Sequence, residues 1–103
     1  MIVVIATVDV VEGKRAEFLE HFQALVPLVE DEEGCLEYGP MVDVETSIDA
    51  QIDLRPDVVT VLEKWEDLEA LEVHLVAPHM MEYRAKVRDL VRSVSLQVIE
   101  SAE

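Results

Sequence analysis

The chain has 103 residues, half of them apolar, and its 23 acidic against 8 basic side chains leave a formal net charge of -15. That length suits one domain with one core and is too short for a second. The charge argues against nucleic acid or an anionic membrane surface as a partner, since both would be repelled, and no apolar run approaches the roughly 20 residues of a membrane span.

Residues Ile2 to Val11 are dominated by Val and Ile and end at Glu12-Gly13, which predicts a strand buried on at least one face. The start has no basic n-region and no small-residue cleavage site, so it reads as a strand in a cytoplasmic protein. From Lys14 the apolar period lengthens. Phe18, Phe22, Leu25, Val26 and Val29 fall at helical spacing and predict an amphipathic helix to about Glu30, with His21 solvated on its polar side. Pro27 removes one helical hydrogen bond, costs about 3 kcal/mol and predicts a kink or a loosened last turn.

Gly34 stops that helix, and Cys35 to Val44 reads as a second strand in which Leu36, Tyr38, Pro40, Val42 and Val44 share a face. Pro40 marks an edge or a bulge. Cys35 is the only cysteine, so no internal disulfide is open to it, and a small buried hydrophobe is the simpler reading than a nucleophile. Glu45 to Asp57 is a long polar connection. Val58 to Glu66 is the third strand, and its alternation turns Val59, Val61, Glu63 and Trp65 to one side. Asp67 can cap a short helix whose first turn holds Glu69, and Pro78 breaks or restarts it. Met80, Tyr83, Arg84, Val87, Leu90 and Val91 extend the helical pattern to about Arg92, and Val94 to Ile99 alternate as a last strand.

The order strand, helix, strand, strand, helix, strand is met most economically by an α+β fold with two helices on one face of a four-stranded antiparallel sheet, the ferredoxin-like βαββαβ arrangement. Apolar residues alternate to both sides of the strands. The face without helices therefore needs cover, which a second subunit packed sheet on sheet would supply as a homodimer.

Glu63 and Trp65 on one strand face, followed at once by a helix bearing His74, place a proton acceptor beside an aromatic wall, as a pocket for a small planar substrate requires. His74 is the natural base, because an imidazole with an ordinary pKa of about 6.5 moves across neutrality on modest burial. Packing offers competing readings: Trp65 as a core or dimer-interface residue, Glu63 in a salt bridge or cross-strand bond, His74 satisfying local backbone, Tyr38, Met80 and Met81 filling the core. His74 and His79 are not at the i, i+4 spacing that puts two imidazoles on one helical face, so no metal is expected. The three glycines are isolated, which disfavours a phosphate-binding loop.

Glu32-Glu33-Gly34-Cys35-Leu36-Glu37-Tyr38, then Glu63-Lys64-Trp65, Ala70-Leu71-Glu72-Val73-His74 and Ala77-Pro78-His79, together resemble the antibiotic biosynthesis monooxygenase domain family, including its quinol monooxygenase members. The resemblance covers nearly the whole chain as a single domain, and the acidic connection after the second strand looks longer than the family pattern. It implies a dimeric α+β barrel and oxidation of a small quinol or polyphenolic aromatic by molecular oxygen, with neither metal nor flavin as cofactor. By position, it lines that pocket with Glu63, Trp65 and His74, with Tyr38 and His79 near the substrate. The catalytic expectation is then that His74 accepts the phenolic proton, Glu63 orients the imidazole or the substrate hydroxyl, and Trp65 stacks on the ring. Some relatives degrade haem with an Asn on the first strand, and this chain contains no Asn. The alternative from a different class is a non-catalytic dimeric module that binds a small aromatic or lipid-like ligand in the same pocket.

Overall fold

A computed structural model describes residues 1–103 and carries seven elements: β1 (Ile2–Val10), α1 (Arg15–Glu30), β2 (Cys35–Met41), β3 (Val58–Trp65), α2 (Leu68–Leu75), α3 (Pro78–Val87) and β4 (Val91–Ile99). Every strand pair is antiparallel, in the order β2-β3-β1-β4. This is the expected ferredoxin-like α+β topology, with the second helix divided at Pro78, which takes the first position of α3 where its missing N–H costs nothing.

Alternation along the central strand defines the two faces. Val4, Ala6, Val8 and Val10 are buried, and the first three stand opposite Glu63, Val61 and Val59 of β3. α1 sets Phe18, Phe22, Leu25 and Val29 against this inner face, each large side chain contributing about 1.5–3 kcal/mol on burial. The helical layer stops short of β4. Val94 and Leu96 pair with Val8 and Ala6 and so face inward, yet they are 56% and 46% exposed, leaving a trough between β4 and the helices. On the outer face no helix covers Val3, Ile5 and Leu62, and a Lys64–Glu37 ion pair at 3.5 Å lies beside them.

α1 reaches Glu30 as expected, running through Pro27, and its last turn closes with Asp31 N–H donating to the Pro27 carbonyl at 3.3 Å. Other local readings change. In β2, Cys35 stands opposite Trp65 and Glu37 opposite Lys64, so Leu36 is an extra, bulged residue. The bulge turns Leu36 out to 53% exposure and puts Cys35 on the same face as Tyr38. β2 ends at Met41, short of the expected Val44, while β4 begins at Val91, because Leu90 accepts a backbone bond from Val11 at 2.9 Å and pairing with β1 overrides the helical spacing. His21 is half-buried, bordering a shallow surface pocket with His79, Glu82 and Lys86.

The connection 42–57 is held by Arg55, whose Nε and Nη2 each donate to Asp43 at 2.9 Å, while Arg15 donates to the Arg55 carbonyl at 3.3 Å. It still exposes Val44, Ile48 and Ile52. No helix is long and apolar enough to cross a membrane.

Candidate functional site

Three segments remote in sequence meet below α2. β3 delivers Glu63 on the inner face, α2 delivers His74 in its last turn, and the turn after α1 delivers Glu32. Each arrives for a local reason. Asp67 accepts from Ala70 N–H at 2.8 Å and fixes where α2 starts, so His74 follows about two turns on, over the sheet. Gly34 has φ +84°, and a Cβ there would lie 2.6 Å from the Ala70 Cβ, so only glycine lets the Glu32-Glu33-Gly34 turn seat against α2. The Gly34 carbonyl then accepts from Glu66 N–H at 2.9 Å.

His74 is 1% exposed and Glu63 5%, and groups so buried require partners. Glu63 Oε1 accepts from Trp65 Nε1–H at 3.0 Å. Glu32 Oε2 lies 2.9 Å from His74 Nδ1 and 2.7 Å from His79 Nε2. An ionised Glu32 only accepts, so His74 carries its proton on Nδ1 and keeps a lone pair on Nε2. That Nε2 stands 4.0 Å from Glu63 Oε1, too far for a direct hydrogen bond, although one oxygen offset from the line between them could reach both. The imidazole is therefore oriented by Glu32 rather than by Glu63.

Burial pushes the Glu63 carboxyl from 4.5 up to about 7, with the Trp65 hydrogen bond opposing and the Glu32 charge adding to the rise. Burial lowers the His74 pKa, against the hydrogen bond and charge of Glu32. Near neutral pH the site thus holds a neutral imidazole beside a carboxyl divided between its two forms, a combination that can both accept and donate a proton. Burial also raises the Tyr38 and Tyr83 phenols, which stay neutral, and lifts the Cys35 thiol to about 11, far from a reactive thiolate.

Glu63 and His74 border a cavity of about 360 Å³ that occupies the trough beside β4. Ala6, Val8, Val61 and Leu96 form its sheet side, Phe22, Tyr38 and Tyr83 its aromatic side, and Arg84 and Arg88 also line it. Phe22 and Tyr38 stack at 5.4 Å, with Tyr83 edge-on to Phe22 at 5.8 Å. Of the five residues singled out from sequence, Glu63, His74 and Tyr38 line this cavity, whereas Trp65 and His79 do not. Trp65 is fully buried, tilted against the His74 ring at 4.7 Å, and supports the acid and the base from behind. Trp65 therefore offers this cavity no face on which a ring could stack, contrary to the role expected of it, and the aromatic residues that line the cavity are Phe22, Tyr38 and Tyr83. His79 reaches His74 only through Glu32, to which the sequence alone assigns no role.

The family model for antibiotic biosynthesis monooxygenase matches residues 1–86. The probable quinol monooxygenase YgiN of Escherichia coli (strain K12) is 35% identical over 102 residues, covering 97% of each chain. Among solved structures, a conserved protein from Methanosarcina mazei Go1 superposes with TM-score 0.79 at 25% identity, over 95% of this chain and 89% of that one. PA3566 from Pseudomonas aeruginosa gives TM-score 0.80 at 24% identity, over 99% and 94%, a likeness of fold.

Proposed function

The chain belongs to the antibiotic biosynthesis monooxygenase family, and on that premise we propose that it is a cofactor-independent monooxygenase that oxidises a small quinol or polyphenolic aromatic with molecular oxygen. The observation that carries the reading is the pairing of a buried base and a buried acid, His74 Nε2 and Glu63 Oε1 at 4.0 Å, on the wall of a mainly apolar cavity. Its volume is at the lower end of small-molecule pockets, which suits a small planar ligand. The quinol monooxygenase name of the Escherichia coli relative supports the same substrate class.

His74 Nε2 takes the phenolic proton, and the imidazolium is held by Glu32 at Nδ1. Glu63 in its protonated form donates to an oxygen of the substrate, and Phe22, Tyr38 and Tyr83 hold the ring against the apolar lining, where the anion is a strong electron donor. The anion gives one electron to oxygen, the two radicals join at a ring carbon, and the resulting hydroperoxide loses water. For hydroquinone the products are hydroxyquinone and one water, so one oxygen atom enters the ring and the other leaves as water, accompanied by the proton returned from His74.

Sheet-on-sheet homodimerisation is part of this reading, supported by the uncovered outer-face residues Val3, Ile5 and Leu62. Sedimentation of the free protein measures it, and a monomer at all concentrations would remove the dimer. The central test is oxygen uptake by chelator-treated protein over a panel of hydroquinones. Saturable uptake that His74→Ala abolishes is the expected result. Uptake untouched by His74→Ala sinks the assignment of the base, and ligand-induced stabilisation without uptake selects the binding module instead.

A further inference from the structure

Arg84 and Arg88 are one helical turn apart at the end of α3, and both line the cavity that holds Glu63 and His74. Neither guanidinium makes a side-chain hydrogen bond or an ion pair, in a chain with 23 carboxylates and only 8 lysines and arginines. Lys14, Lys86 and Arg92 are unpaired too, but none of them lines the cavity, and the remaining three cations have partners. Arg55 is paired with Asp43, Lys64 with Glu37, and Arg15 donates to backbone carbonyls. The C-terminal dipole of α3 explains why cations sit in its last turn. It does not explain their sides, since Lys86 from the same turn borders the surface pocket near His79, whereas Arg84 and Arg88 border the cavity.

A strongly acidic protein repels an anionic ligand unless positive charge is focused where the ligand enters. Two unpaired guanidiniums at an apolar cavity provide that focus, and their fork geometry matches a carboxylate. The proximity of Arg84 to the chemistry is visible in its field, which lowers the His74 pKa alongside burial. We propose that Arg84 and Arg88 form an anion subsite, so that the preferred substrate is a dihydroxy aromatic carrying a carboxylate. The inference rests on the quinol reading of the cavity. In it the ring lies against Phe22 and Tyr38, a hydroxyl meets His74, and the carboxylate is held at the arginines.

Binding is measured without oxygen, by calorimetry on the full chain, with 2,5-dihydroxybenzoate, 2,5-dihydroxyphenylacetate and their neutral methyl esters. At least one acid should bind about tenfold or more tighter than its ester, as a charge-assisted pair predicts. Arg84→Gln combined with Arg88→Gln should erase that gap while changing ester binding less than about threefold. In the unaltered protein the gap should also narrow with rising salt, a readout free of any effect of substitution on folding. Acids that bind no better than esters, or a preference that survives the double substitution, would overturn the subsite. Oxygen uptake is then followed with the same four compounds. No uptake together with an intact acid preference would sink the oxidation reading and leave the subsite standing.

Discussion

Replacing Glu63 by Gln should stabilise the protein at alkaline pH and hardly at all in acid. Gln keeps an oxygen to accept from Trp65 Nε1–H, which now donates to Glu63 Oε1 at 3.0 Å, so the substitution removes the ionisation and little else. A carboxyl raised from 4.5 to about 7 binds its proton more tightly folded than unfolded. Between those values the folded chain holds more protons, so this group's contribution to stability is full below about pH 4.5 and is lost as pH rises through about 7. At about 1.4 kcal/mol per pH unit the loss is about 3 kcal/mol, and near-complete burial leaves little solvent screening to reduce it. Urea unfolding of both proteins at about pH 5 and about pH 8.5, at one protein concentration, isolates the effect because other groups cancel in the difference. Glu63→Gln should match the parent within about 1 kcal/mol in acid and exceed it by about 3 kcal/mol in base, a midpoint shift of about 1–3 M urea. Equal differences at the two pH values would refute the burial argument for Glu63, and with it the carboxyl's place as a proton donor near neutrality.

Glu32→Gln should lower the His74 pKa further, since the hydrogen bond and charge of Glu32 are what oppose burial there; nitrogen-15 titration of the ring reads it, and an unmoved His74 would remove Glu32 as its orienting partner. Gly34→Ala should destabilise by about 2 kcal/mol or more, because the Cβ meets Ala70 at 2.6 Å as well as straining a φ of +84°. Gly13→Ala, with φ +78° but open space around it, should cost about 1 kcal/mol, and equal losses in thermal melts would show that the contact with α2 is soft. With a net charge of -15, melting temperature should rise between about 0.01 M and about 0.15 M salt, as the Debye length falls from about 30 to about 8 Å, and a flat response would mean the charges are already compensated.

Where a structural decision is local, the residues announce it. Alternation in β1 and β3, the Asp67 cap and the Pro78 restart are all legible, because each depends on neighbours within one turn or one pleat. The bulge at Leu36 and the early start of β4 at Val91 are not, since both are settled by pairing to a strand elsewhere: Trp65 opposite Cys35, Val10 opposite Val91. The same division runs through the site. Period two puts Glu63 and Trp65 on one face, but the depth that leaves Glu63 at the cavity and Trp65 behind it is set by where the helices end over the sheet.

Glu32 is the sharpest instance. In sequence it is one acid among Glu30, Asp31, Glu32 and Glu33, with nothing to separate it from a solvated run. Its role depends on a turn that Gly34 allows to seat against α2, and the histidine it meets is 42 residues away. The glycine is the one local trace of that contact. In so acidic a chain the count of carboxylates hides the important ones. Burial separates Glu32 and Glu63, with side chains 12% and 7% exposed, from their solvated neighbours, and the proposed proton transfer depends on the same burial, because Glu63 left in water would not have a raised pKa and Glu32 left in water would have no histidine to orient.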